Sequence, residues 1–241
     1  MLIKGRPIPD ELKPLDIGLY NSFLEEIFTE KAKLDLLQYI QKVQADWNVF
    51  SVNDRLRILE NCYEILFLNF IPKPTYKLTF SRVRFTATFH YDDWSIRFSQ
   101  NYFERNFSAI LKTWFHETYH GLLHFLSLRI NMSSATTVIN PPKDILMIAK
   151  KYPLSPDNKA ACMFAERNLI GMIDRHLTHT ERYWAGLDSY YLNVEIIVEN
   201  LTIMSMKKIF PNMNFQRNYN TAEEYINLRM QGHPPLKASG G

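Results

Sequence analysis

The stretch Thr113-Trp114-Phe115-His116-Glu117-Thr118-Tyr119-His120-Gly121-Leu122-Leu123-His124 carries the side chains best suited to chemistry. His116 and His120 are four residues apart, so on a helix their imidazoles stand one turn apart on one face and can reach a single ion, with Glu117 beside them. Such a site suits Zn2+. Two histidines and one further protein ligand leave a fourth position for water, whose pKa the metal lowers towards about 7. Glu117 is then placed as general base, taking the proton from that water and delivering it to a leaving amine.

The elements around this motif must present it on a helix. From Asn106 or Ser108, either able to cap, an apolar pattern runs through Phe115, Leu122 and Leu126 and stops near Arg129 to Asn131. Upstream, Leu19, Phe23 and Ile27, then Leu34, Leu37, Ile40 and Val43, then Leu56, Leu59, Tyr63 and Leu66 recur at helical period and mark residues 1–71 as a helical subregion. Pro72 and Pro74 end it. Period two follows: Phe85, Ala87, Phe89 and Tyr91, then Trp94, Ile96 and Phe98, with Asp92-Asp93 between them, predict a β-hairpin. Tyr76, Leu78 and Phe80 add a third strand, for a small antiparallel sheet within 72–130. Residues 131–157, with Pro141-Pro142, Pro153 and Pro156, read as a long surface excursion holding a short helical pattern at Ile145 to Ala149. Helical segments near Lys159 to Arg175 and Trp184 to Ile209 make 131–241 a loop and helical C-terminal half, and the last residues, Gly240-Gly241 included, lack periodicity.

A third ligand must come from elsewhere. His124 lies four residues beyond His120, but each step of four turns the side chain by about 40°, which carries it away from an ion held by the first two. Asp188, Glu195 and Glu199 line one side of an otherwise apolar helix. Carboxylates buried in such a helix need a metal or a partner. His176 and His179 compete for the same role, and Tyr190, Tyr191 or one of those histidines could donate to an oxyanion.

His116-Glu117-x-x-His120, with strands before it, resembles the zincin metallopeptidases. The resemblance implies an α+β zincin-like fold, a single domain over 1–241, and an edge strand above the motif helix that pairs with an extended peptide or protein substrate. Glu195-x-x-x-Glu199 resembles the E-x-x-x-D of gluzincins, which implies Glu195 as the third zinc ligand and Glu199 as the acid that orients a ligand histidine. His116-Glu117-x-x-His120-x-x-Leu123-His124 and Ala161-Cys162-Met163-Phe164-Ala165 are weakly similar to ImmA/IrrE-type peptidases, although Lys159-Ala160 stands where that family has an acid. His179 followed by Tyr183 and Trp184 resembles the SprT-like proteases and implies a three-histidine site instead.

Composition narrows the remaining classes. The chain has 241 residues, 46% of them hydrophobic, and a formal net charge of +3, too small to argue for nucleic acid without a basic patch. Its longest apolar stretch falls well short of the roughly 20 residues a membrane span needs. No secretory signal is evident, and two cysteines without C-x-x-C spacing suit a reducing compartment. The expectation is a cytoplasmic zinc metallopeptidase, with release as an effector left open. A catalytically silent zincin-like binding or regulatory protein with structural zinc is the alternative.

Overall fold

Side-chain caps set the helix starts. Asp16 accepts from the Gly18 amide, Thr29 from Ala32, Ser51 from Asp54 and Asn106 from Ala109. They open α1 (Ile17–Ile27), α2 (Glu30–Gln44), α3 (Val52–Leu66) and α4 (Phe107–Ile130). A computed structural model describes residues 2–3, 6–7, 15–79, 86–177 and 194–215, and of residues 2–3, 6–7 and 170–177 it describes the backbone alone. Within them the chain is mixed α/β and mostly helical, with α5 (Met132–Val138), α6 (Lys143–Lys151), α7 (Lys159–Leu177) and α8 (Ile196–Ile209) completing eight helices. None is long and apolar enough to cross a membrane.

Two helices, α4 and α8, are buried on nearly every side. Along α4 the run from Glu117 to Leu128 is unbroken in its burial, and α8 buries Ile196, Ile197, Val198, Leu201, Ile203 and Met206. A helix apolar all round belongs inside the core. The remaining helices supply the wall: α4 packs against α6, α7 and α8, while α1 lies on α7 and α8. Phe23 and Tyr20 meet Phe164 of α7 at ring separations of 4.7 and 5.2 Å, closing α1 onto that layer.

The main sheet has three strands in the order β3 (Thr75–Thr79), β5 (Ser95–Ser99), β4 (Ala87–His90); a separate antiparallel pair, β1 (Leu2–Ile3) and β2 (Arg6–Pro7), sits at the N-terminus. The strand positions follow the period-two pattern, but the sheet is mixed and not antiparallel. β4 and β5 form the expected hairpin, whereas β3 pairs parallel with β5, which inserts between the other two. Alternation marks a strand and its buried face, not the neighbour it chooses. Asp93, in the turn between β4 and β5, takes hydrogen bonds from Lys77 on β3 and from Ser95 and Arg97 on β5, tying the parallel pair together. Ala87 and Phe89 face the core and β4 packs on α4.

Within the 131–157 excursion the short helix expected at Ile145 to Ala149 is present as α6, and α5 is a second correction, since a helix also forms where loop was expected. Asn131 caps α5 by accepting from Ser134, and burial of Ala135, Ile139, Ile145 and Ala149 supplies the packing. Serines and threonines that read as loop are tolerated on the exposed side of a short, capped helix.

Arg55 of α3 is buried beneath the start of α4. Its guanidinium donates to the carbonyls of Trp47, Asn48 and Phe103 and lies 5.1 Å from the Trp47 ring centroid. Replacing it strands buried acceptors. Arg55→Leu is expected to lower unfolding free energy by about 2–4 kcal/mol, read from the urea midpoint at unchanged m-value.

Candidate metal centre

α4 and α8 bring the charged groups of this core into register. His116 and His120 sit one turn apart on α4, and their Nε2 atoms are 3.2 Å apart. Glu195 reaches both: one carboxylate oxygen lies 3.2 Å from His116 Nε2 and the other 3.2 Å from His120 Nε2. These three residues could hold a metal ion. Glu195 occupies a wide, π-type turn at 194–195 just ahead of α8, and its side chain caps no amide of that helix. Its carboxylate is committed to the imidazoles.

Behind this group stands Glu199, one turn further along α8. Its Oε2 lies 3.5 Å from His116 Nδ1 and its Oε1 lies 3.3 Å from the Lys112 ammonium. An Nδ1 proton donated to Glu199 leaves the Nε2 lone pair of His116 for the ligand side. The side chains of His116 and Glu195 keep 22% and 19% exposure, against 5% for Glu199. The group therefore keeps partial access to solvent on the His116 and Glu195 side, while His120 and Glu199 lie deeper.

Electrostatics follow from this packing. Burial alone pushes the His116 pKa down, but hydrogen bonds to Glu195 and Glu199 and the nearby carboxylate charges outweigh it and hold the imidazole well above its ordinary value. Burial pushes Glu195 up, yet the positive field and hydrogen bonds of His120 and His116 carry it below the usual carboxylate range. The same contest, won by His116 and Lys112, keeps Glu199 low.

Glu117 points to the sheet. Its Oε2 accepts a 2.7 Å hydrogen bond from the main-chain amide of Phe89 on β4, in a buried setting. His124, two turns beyond Glu117 on α4, is buried with its ring against Phe89 and Tyr91 at centroid separations of 6.0 and 5.7 Å.

The structure thus brings together His116, His120, Glu195 and Glu199, with Glu117 adjoining. His176 lies on α7, whose backbone alone is described there, and His179, Asp188, Tyr190, Tyr191 and Gly240-Gly241 lie outside the described residues. Two groups escape the sequence reading. Lys112 sits four residues before His116, so extending the motif's own spacing backwards would have found it. The Phe89 amide is a main-chain donor and has no side-chain signature at all. No family model matches the chain, and no curated protein or solved structure matches it.

Two measurements check these electrostatics. Lys112→Met removes a partner of a buried carboxylate and is expected to cost about 1–3 kcal/mol of stability in the metal-free protein, with Lys112→Arg recovering most of it in urea unfolding. A divalent metal entering the site must displace the proton held on His116, so uptake at pH 7 is expected to release about one proton, and affinity to fall as pH drops through the raised His116 pKa. Calorimetric titration in buffers of different ionisation enthalpy reads that proton directly.

Proposed function

We propose that this chain is a zincin-like, zinc-dependent peptidase acting on peptide or protein substrates. The observation that carries the reading is the convergence of His116 Nε2, His120 Nε2 and the Glu195 carboxylate at separations of 3.2 Å. Ligands about 2.0–2.1 Å from a tetrahedral centre lie about 3.3–3.4 Å from one another; the two Nε2 atoms match that spacing, each has a different Glu195 oxygen at the same range, and one donor atom from each of the three residues lies within 4.8 Å of the others. The donor set fits as well: two nitrogens and an oxygen, with three protein ligands, are the composition of an open catalytic site. When bound, zinc supplies Lewis acidity, acidifying water and polarising a substrate carbonyl.

In this reading His116, His120 and Glu195 hold the ion. Glu199 accepts from His116 Nδ1 and fixes the tautomer, and Lys112 keeps Glu199 ionised. Glu117 takes the proton of the attacking water and returns it to the amine of the broken peptide bond. Among the described residues β4 lies at the sheet edge, and its outward main-chain groups other than the Phe89 amide, which Glu117 holds, offer a line along which an extended substrate can lie.

The test is metal analysis combined with hydrolysis of a proteome-derived peptide mixture followed by mass spectrometry. Glu117→Gln is expected to retain zinc and lose about 10²–10⁴-fold in turnover. Glu195→Ala is expected to lose zinc affinity itself. Full zinc retention by Glu195→Ala removes it as a ligand, and undiminished hydrolysis by Glu117→Gln removes the mechanism.

A further inference from the structure

Residues facing each other in an antiparallel pair alternate between bonded and non-bonded positions. The Ser99 amide donates to the Thr86 carbonyl at 3.0 Å, which makes Thr86 a bonded position; Thr88 and His90, opposite Arg97 and Ser95, continue the series. Ala87 and Phe89 therefore turn their amide and carbonyl groups away from β5. Among the described residues β4 has no strand on that side. The Phe89 amide is nevertheless occupied, because Glu117 Oε2 takes its hydrogen at 2.7 Å.

The same residue meets α4 a second time. Gly121 is one turn beyond Glu117, on the same face of the helix. A Cβ placed on Gly121 would lie 3.0 Å from Phe89 Cε2 and 3.2 Å from Cζ, tighter than nearly all such contacts, so the ring would have to shift by a few tenths of an ångström. The bare helix backbone at Gly121 lets the Phe89 ring pack this close, on the residue whose amide Glu117 holds.

We infer that the Phe89 main-chain amide is the positioning group for the general base, and that Gly121 is the notch that lets it reach. The inference rests on the peptidase reading for its catalytic consequence. With Oε2 tied to the strand, Glu117 cannot swing between rotamers and Oε1 is the oxygen left to take the proton. Tethering a base in this way acts on turnover, since a misplacement of about 1 Å can cost about 10²-fold in rate.

The test compares zinc-loaded wild type, Glu117→Ala, Gly121→Ala and the double variant Gly121→Ala/Phe89→Leu, whose smaller side chain makes room for the added methyl. Amide hydrogen exchange at Phe89 and hydrolysis of one peptide cleaved from the mixture are both followed. Phe89 is expected to exchange slowly in wild type and fast in Glu117→Ala and Gly121→Ala, while Thr88 and His90 stay protected by β5. Gly121→Ala is expected to lose at least about ten-fold in kcat with KM and zinc affinity little changed, and the double variant to regain both protection and kcat. Slow exchange at Phe89 in Glu117→Ala, or unchanged kcat in Gly121→Ala, overturns the inference. If wild type cleaves no peptide while Phe89 exchange still depends on Glu117, the peptidase reading and the catalytic role of the tether fall together, and the hydrogen bond alone stands.

Discussion

The interior of this protein has to accommodate charge between two helices that are otherwise apolar on nearly every side. Glu199 is buried on α8, and a carboxylate there without compensation would cost several kcal/mol. The compensation comes across the helix pair, from His116 and Lys112 of α4, and Glu195 draws on both motif histidines in the same way. The pairing of α4 with α8 is therefore more than hydrophobic contact: it sets which turn of one helix faces which turn of the other. A slip of one residue along α8 would turn its acids away from the imidazoles and bring apolar neighbours such as Val194 and Val198 opposite them.

The sheet depends on the same helix from its other side. β4 lies on α4 through the Phe89 ring and through the hydrogen bond from the Phe89 amide to Glu117. Adjacent residues of the motif thus serve different surfaces, His116 facing α8 and Glu117 facing the strand. That division places a carboxylate beside the ligand group without competing for it. The outer turns contribute rigidity: Asp93 locks the hairpin to β3, and Trp94, held at φ 50 in that turn, donates its indole N–H to the Pro72 carbonyl at 2.9 Å. A strained residue kept in place by a buried ring gives β5 a fixed starting point.

Legibility in the sequence tracks whether a feature leaves a side-chain pattern. The motif histidines were readable because i, i+4 spacing on an apolar helix has one geometric meaning. Glu195 and Glu199 were readable because acids in the run Val194 to Leu201 have to be explained by a partner. The strands showed through alternation, but the parallel partnership of β3 and β5 did not, since pairing is decided by connection and packing. α5 was hidden because its serines and threonines resemble loop, while its stability comes from the Asn131 cap and from tertiary burial of Ala135. Donors on the main chain, such as the Phe89 amide, cannot be read from residue types, and the ligand group gained its depth from Lys112, a residue whose type alone suggests only a solvated surface.

In the proposed reading α4 and the start of α8 hold one divalent ion between two imidazoles and a carboxylate. Zinc-edge X-ray absorption on the zinc-loaded protein reads that shell. The expected result is two imidazole nitrogens and a carboxylate oxygen at about 2.0–2.1 Å, completed by one light atom that does not come from the protein. A sulfur shell, a fourth protein ligand, or failure to retain zinc at all would contradict it.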